Sequence, residues 1–219
     1  MNTQPSPVIN IAEAPKLLKE ALQKPLPGAA AQQQMSSVPR LETGWVKPPE
    51  NARVSAVLLA LSYKDGKISL PFIRRAIDHK VHSGQIAFPG GRKDDTDANL
   101  TETALRETWE EIGIKVSQSY VLGHLTPLYI PPSNSLVTPV VAWLPNSPNA
   151  YMPNECEVDS VLEFALHEFQ HPDNLKEREV KVMGNIKIKT PAFVLRETVI
   201  WGATAMVMSE FLSVWKRLG

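Results

Sequence analysis

Short apolar runs separated by turn residues dominate the chain, and this pattern predicts more strands than helices. A tight hairpin is expected at Lys64-Asp65-Gly66-Lys67, between two such runs. The last two predicted strands are expected to pair with each other. The predicted strands cover residues 54–61, 68–73, 85–88, 120–128, 137–144, 161–165, 180–188 and 193–195.

Helical periodicity occurs at residues 12–23, 100–112, 166–170 and 203–218. Because helices lie both between and after the strands, we expect an α/β protein, an α/β/α sandwich on a mixed β-sheet. The main domain is predicted to span residues 51–219. Residues 1–50 are predicted to be an extension, made of one helix and a low-complexity connector at residues 29–39.

The predicted helix 100–112 carries three glutamates on one side. At about 100° per residue, Glu107, Glu110 and Glu111 project within one narrow arc. Like charges at this spacing destabilise a helix by about 0.2–0.5 kcal/mol per pair, so an acidic face suggests a bound cation. Oxygen ligands without sulfur favour Mg²⁺ or Mn²⁺ over zinc. The opposite side is predicted to be buried and contains Leu105, Trp109 and Ile112.

Acidic runs on helices are more often solvated surface, so the neighbouring sequence decides the interpretation. Gly90 and Gly91 end a short strand, and consecutive glycines allow the backbone to approach a ligand closely. An acidic loop at residues 94–97 follows, and Gly113 stands where the helix is expected to stop. This order favours a metal site.

The segment from Gly91 to residue 114 resembles the Nudix box, which marks enzymes that hydrolyse a nucleoside diphosphate linked to another group. Asp97 stands where the box usually has glutamate, and one extra residue lies between it and Arg106. Thr108 replaces the usual small or aliphatic residue. None of these differences alters the three glutamates that bind metal in the family.

The resemblance implies a role for each of these residues. Glu107 and Glu111 would be metal ligands, and Glu110 would be either a ligand or the general base. Arg106 would orient the glutamates, and a carbonyl near Gly91 would bind metal. Outside the box, Glu157 lies at the entry to a predicted strand and is a further candidate for the base or a ligand.

An upstream motif resembles the signature of the coenzyme A pyrophosphatase branch of the family. It consists of Arg75-Ala76, Lys80, Gly84 and Phe88-Pro89-Gly90-Gly91, with Lys80 where the branch has arginine. The resemblance implies coenzyme A as the substrate, cut to 4′-phosphopantetheine and adenosine 3′,5′-bisphosphate. A basic cluster beside the glycine turn suits the third phosphate of this substrate. The predicted substrate-binding residues are Arg74, Arg75, Lys80, His82 and Gly90.

A second motif, His167-Glu168-Phe169-Gln170-His171, fits the zinc-peptidase pattern. Both histidines would have to project from one continuing helix, but Pro172 pushes His171 out of helical geometry. We therefore expect a short surface helix without zinc. Trp201 is expected to be a packing residue.

Composition restricts the choice of partners. The numbers of Lys+Arg and Asp+Glu are both 23, which argues against nucleic acid or an anionic membrane as a partner. Cys156 is the single cysteine, which fits a reducing compartment. The first segment does not resemble a secretory signal, so we expect a cytoplasmic protein. No apolar run is long enough to span a bilayer.

Three functions stay open: hydrolysis of coenzyme A or its thioesters, hydrolysis of another compound such as ADP-ribose or a dinucleotide, and binding without turnover. A homodimer also stays open as the assembly state.

Overall fold

The computed structural model describes residues 10–37, 47–76, 84–182 and 186–219. The helices in these ranges are α1 (Ala14–Gln23), α2 (Ala29–Gln33), α3 (Leu100–Ile112), α4 (Leu166–Gln170) and α5 (Gly202–Trp215). The strands are β1 (Arg53–Lys64), β2 (Lys67–Arg75), β3 (Ile86–Ala87), β4 (Gly90–Arg92), β5 (Val121–His124), β6 (Leu128–Ile130), β7 (Ser135–Trp143), β8 (Val158–Ala165), β9 (Leu175–Val182), β10 (Ile186–Leu195) and β11 (Thr198–Trp201). No helix among these residues is long and apolar enough to cross a membrane.

The main sheet is mixed, as predicted. Its central path runs β3-β2-β1-β7-β5, with β4 beside β1, β6 beside β7 and β8 beside β2. Strands β1 and β7 are parallel, and the remaining pairs in this sheet are antiparallel. A second, antiparallel sheet has the order β11-β10-β9.

Helices cover both faces of the main sheet because the buried residues of β1 alternate between two cores. Leu58 on β1 packs in the same cluster as Ala104 and Ile112 of α3. Leu59, the next residue, packs in the cluster that contains residues of α1 and α5. Successive strand residues point to opposite faces, so the predicted α/β sandwich is confirmed.

The predicted hairpin turn after β1 is also present. Lys64 pairs with Lys67, and the two turn residues, Asp65 and Gly66, have φ angles of 52° and 79°. Both angles are in the left-handed region that a two-residue hairpin turn of type I′ requires at its two central residues.

Two strand predictions were wrong. Residues 120–128 form two strands, β5 and β6, because Thr126 between them turns to α5. Its backbone N–H and its hydroxyl donate to Glu210 at 3.3 and 2.6 Å. Residues 180–188 do not form one strand but belong to the paired strands β9 and β10, and β10 also pairs with β11.

Helix α3 has the predicted limits but a different buried face. Asn99 caps its start by accepting a hydrogen bond from the Glu102 N–H at 3.0 Å, and Gly113 ends it with a φ of 74°. Trp109, predicted to be buried, is 42% exposed, with the Lys115 ammonium 4.9 Å from its ring centroid. The buried face contains Ala104, Thr108, Glu111 and Ile112.

The buried polar residues of α3 have internal hydrogen bonds. The Thr108 hydroxyl donates to the Ala104 carbonyl at 2.7 Å, and the Glu111 carboxylate accepts from the Gly90 N–H, also at 2.7 Å. A hydrogen-bonded polar group can replace an apolar one in a core, so hydrophobic periodicity placed Ile112 correctly but missed Thr108 and Glu111.

The described part of the N-terminal extension packs on the main domain. Leu18 of α1 and Met35 are buried in the same core as α5. Residues 29–33, predicted to be part of a connector, form the helix α2. The limit between extension and domain near residue 50 stays a prediction.

The helix of the competing zinc motif stops before its second histidine, as expected. Helix α4 ends at Gln170, and His171 has an extended backbone, with φ −74° and ψ 123°. Its ring lies 3.9 Å from Asp173, and both side chains are exposed.

Candidate active site

The two glycines of β4 bring the backbone against two glutamates of α3. The Gly90 N–H donates to Oε2 of Glu111. A Cβ atom on Gly91 would lie 2.5 Å from the Glu107 carboxylate, which is closer than any side chain could approach. A Cβ on Gly90 would collide with the Ala56 carbonyl oxygen of β1. Glycine is therefore required at position 90, where backbone atoms block a side chain, whereas a side chain at position 91 would displace the Glu107 carboxylate.

Arg106 is the centre of a hydrogen-bond network at the start of the site. Its Nε and Nη2 donate to the two oxygens of Asp97, both at 2.9 Å, and Nη2 also donates to the Arg92 carbonyl. Its Nη1 donates to Glu107 at 3.0 Å and to Glu110 at 2.9 Å. The Arg106 guanidinium holds the pKa of Asp97 well below its usual value, and Asp97 raises the pKa of Arg106. The orienting role of Arg106 stays a prediction, and these contacts are compatible with it.

The two glutamates beside the glycines differ from Glu110 in their surroundings. Burial raises the pKa of Glu111 to about 8, although the Gly90 N–H and the Arg75 guanidinium oppose this shift. Burial also raises the pKa of Glu107. The Glu111 side chain is 3% exposed, whereas that of Glu110 is 49% exposed and is paired with Arg106. A buried carboxylate with little counter-charge favours the approach of a cation.

Glu157 is held near these glutamates by a segment that closes the end of α3. The N–H groups of Met152 and Asn154 donate to the last carbonyls of the helix, those of Ile112 and Glu111, at 3.0 and 2.9 Å. The Glu157 carbonyl accepts from the Ala76 N–H at 2.9 Å. The exposed Glu157 carboxylate contributes to the raised pKa values of Glu107 and Glu111, so its charge reaches the site.

Apart from Glu157, this closing segment was missed by the sequence analysis. It has no regular periodicity, and its two contacts use backbone N–H groups, which any residue except proline supplies. The exposed Cys156 lies in the same segment, and its N–H donates to the Asn154 side chain at 3.2 Å.

The two arginines that end β2 point to different surroundings. Arg75 Nη1 lies 3.9 Å from Glu111 Oε1, whereas Arg74 Nε lies 3.8 Å from Asp159 Oδ2. The pairing of β2 with β8 is irregular between these two residues, and such a bulge re-aims side chains. The other basic residues of the predicted cluster, Lys80 and His82, lie outside the described residues.

The structure therefore brings some predicted site residues together and separates others. Glu107 and Glu111 meet the glycines of β4, and Glu110 turns outward to Arg106. Within the described ranges, no group of three or more histidine, cysteine, aspartate or glutamate side chains is arranged to hold a metal. The ligand set stays a prediction.

The site thus consists of a strand with two glycines, β4, packed against the glutamates of the helix α3. The chain belongs to the Nudix family, because the NUDIX domain matches residues 52–185. It is also 34% identical over 161 residues to the uncharacterized Nudix hydrolase NudL of Photorhabdus laumondii, over 74% of this chain and 84% of that protein.

Other curated relatives carry more specific names. The chain is 38% identical over 129 residues to the peroxisomal coenzyme A diphosphatase NUDT7 of Mus musculus, covering 59% of this chain and 54% of that protein. It is 37% identical over 131 residues to the mitochondrial coenzyme A diphosphatase NUDT8 of Homo sapiens, covering 59% and 55%. The chain thus spans about half the length of these two relatives.

Among solved structures, the fold is similar to that of a bifunctional NMN adenylyltransferase/ADP ribose pyrophosphatase from Francisella tularensis. The TM-score is 0.50 at 12% identity, and the match covers 76% of this chain and 42% of that one. This likeness concerns the fold alone.

Proposed function

We propose that the chain hydrolyses the diphosphate bond of coenzyme A or its thioesters, with Mg²⁺ or Mn²⁺ as the cofactor. The products would be 4′-phosphopantetheine, or its acyl form, and adenosine 3′,5′-bisphosphate. One contact carries the proposal: Arg75 of the upstream signature lies 3.9 Å from Glu111 of the box helix. The motif that suggests the substrate thus adjoins the motif that suggests the chemistry. Identities of 37–38% to two coenzyme A diphosphatases support the same substrate.

The residues beside β4 suit a hard divalent cation. Nudix hydrolases generally use divalent metals such as Mg²⁺ or Mn²⁺. The available donors are carboxylate and carbonyl oxygens, which these cations prefer, and the buried Glu111 has Arg75 at 3.9 Å as its counter-charge. We assign Glu107, Glu111 and a carbonyl near Gly91 as ligands, with Glu110 as a further ligand after it leaves Arg106. A bound cation would neutralise the charge of the diphosphate and would lower the pKa of a coordinated water.

The side chains around the cation would orient and activate the reactants. Arg106 holds Glu107 in place, and the Gly90 N–H fixes one oxygen of Glu111. Two exposed glutamates, Glu110 and Glu157, are the candidates for the base that accepts a proton from water, and Glu110 would first have to leave Arg106. Arg75 would bind a phosphate oxygen of the substrate through its charge. Arg74, Lys80, His82 and Gly90 stay predicted substrate-binding residues.

A substrate panel tests the proposal. The purified protein would be incubated with coenzyme A, its 3′-dephospho form and ADP-ribose in Mg²⁺ or Mn²⁺, and the products identified by mass. We expect coenzyme A to have the highest kcat/KM, and EDTA to stop the reaction. Equal or faster turnover of ADP-ribose would contradict the assignment of coenzyme A as the substrate. Full turnover in EDTA would contradict the need for a metal. A cytoplasmic location and a homodimer stay predictions.

A further inference from the structure

A cavity of about 320 Å³ lies where the second sheet meets the edge of the main sheet. Arg74 and Ile86, paired residues of β2 and β3, form one wall, and Val199 and Trp201 of β11 contribute to the lining. Val180 of β9 lines it as well. Its volume is at the lower end of the roughly 300–1,000 Å³ that is typical of ligand pockets.

The cavity adjoins the proposed active site through two consecutive residues. Arg75 faces Glu111, and Arg74 lines the cavity. The Cα atoms of these consecutive residues are about 3.8 Å apart. The Thr204 hydroxyl donates to the Ile86 carbonyl at 2.9 Å, so the start of α5 is fixed to the wall of the cavity. A substrate bound at Glu111 would therefore need to extend only a short distance around the end of β2 to enter the cavity.

The hairpin of β9 and β10 has one apolar and one charged face. Val180 pairs with Ile188, and Val182 pairs with Ile186, so these four side chains share one face near the end of the hairpin. The intervening residues form the other face, where Lys187 is paired with Glu179 at 2.7 Å. Ile186, at the end of this face, is 60% exposed.

Among the residues that the structure describes, the charges around the cavity balance. Arg74 is paired with Asp159, and the lining also contains one lysine, Lys181, and one glutamate, Glu197. A site for a phosphate would have an excess of positive charge. The lining alternates apolar side chains with the uncharged polar groups of Gln85 and Thr198, and such a mixture suits an uncharged chain of methylene and amide groups instead.

We propose that this cavity binds the uncharged arm of the substrate, the pantetheine chain and any acyl group on it. This assignment rests on the proposed function, because only a substrate with such an arm would use the cavity. It gives Arg74 a different role from the basic cluster of the sequence analysis: Arg74 forms a wall beside the arm and does not bind the ribose phosphate. The apolar face of the β9–β10 hairpin would cover the outer part of the arm.

The test introduces a charge into the cavity with the variant Val180→Asp. Hydrolysis of coenzyme A would be inhibited separately by the two halves of the substrate, 4′-phosphopantetheine and adenosine 3′,5′-bisphosphate. In the variant, the inhibition constant of 4′-phosphopantetheine should rise about tenfold, because the arm loses an apolar contact and meets an aspartate. The inhibition constant of adenosine 3′,5′-bisphosphate should stay unchanged, which also reports that the variant is folded.

The matched control is Lys189→Asp, which places an aspartate on the charged face of the same hairpin. It should leave both inhibition constants unchanged. The proposal is wrong if Val180→Asp raises the inhibition constant of adenosine 3′,5′-bisphosphate instead. It is also wrong if the variant raises both inhibition constants equally or leaves both unchanged. A wild-type protein that cleaves ADP-ribose but not coenzyme A would contradict the proposed function, and the subsite with it.

Discussion

At the scale of single residues, the three glutamates of α3 are not equivalent. Glu111 is buried against the glycine turn, Glu107 touches the backbone of Gly91, and Glu110 is exposed and paired with Arg106. The sequence predicted one acidic arc. The packing of β4 against α3 divides that arc into a buried member, Glu111, a partly buried member, Glu107, and an exposed member, Glu110.

Glu111→Gln should abolish most of the proposed activity while the fold stays intact. Glutamine keeps an oxygen that accepts from the Gly90 N–H but removes the negative charge. Since a bound metal contributes several kcal/mol, kcat should fall at least about a hundredfold. The control on the same helix is Glu102→Gln, whose oxygen can still accept from the Ala98 N–H. Steady-state kinetics with thermal melts of both variants would check this. Equal activity in the two variants would remove Glu111 from the site.

Asp97→Asn should destabilise the protein at neutral pH and much less in acid. Arg106 holds the pKa of Asp97 below its usual value of 3.8, so the contribution of this pair to stability is present above that pH. It is lost as the pH falls towards the lower pKa of the folded state. The charge-assisted hydrogen bonds should make the variant about 2–3 kcal/mol less stable at pH 7. Urea unfolding of both proteins between pH 7 and pH 2 should show the difference narrowing below pH 4. A constant difference would mean that the charge of Asp97 is not responsible.

At the scale of elements, the sequence predicted best where local signals were strong. The periodicity of residues 100–112 and the stop at Gly113 predicted the limits of α3, and the Asp65-Gly66 turn predicted the first hairpin. Prediction failed where a distant contact decides the structure. Thr126 interrupts the strand region because Glu210, on a helix far along the chain, binds it.

For the candidate site, too, local signals were predicted and distant contacts were not. Short-range spacing identified the glycines and the glutamates, but not the irregular segment at residues 152–157, because its role depends on backbone groups. Nor could spacing reveal that Arg75 and Arg74 end up in different surroundings, since this depends on the bulge between β2 and β8.

Gly91→Ala tests the contact between β4 and α3. Its backbone does not have a positive φ, so the alanine costs little in local conformation. The added Cβ would instead push the Glu107 carboxylate away, and kcat should fall at least about tenfold. Gly66→Ala is the opposite case, with open space around it but a φ of 79°. That variant should lose about 1 kcal/mol of stability and no activity. Kinetics and chemical unfolding of both variants would separate these effects, and full activity of Gly91→Ala would show that Glu107 can be displaced harmlessly.

At the scale of the whole molecule, one buried carboxylate joins three distant parts of the chain. Glu210 of α5 is fully buried and accepts from the Gly28 N–H, from the Gln32 side chain, and from the N–H and hydroxyl of Thr126. Residues 28 and 32 belong to the N-terminal extension. The extension is therefore held on the face of the sheet opposite α3.

Glu210→Ala should loosen the extension. It leaves the Gly28 N–H and the Thr126 hydroxyl without their acceptor inside the core, which should cost about 3–5 kcal/mol. Hydrogen exchange read by mass spectrometry should become faster at residues 14–33 than in α3. Ser213→Ala is the control, because its hydroxyl bonds only within α5, to the Ser209 carbonyl. Uniform acceleration along the whole chain would indicate general destabilisation and not a local release.

The segment that closes α3 makes the protein convenient to observe. Cys156 is the single cysteine of the chain, is exposed, and is the immediate neighbour of Glu157. A fluorophore attached through a maleimide would therefore label one position without any engineered thiol. Because it would lie beside the glutamates of α3, its emission could report metal titration and ligand exchange in real time.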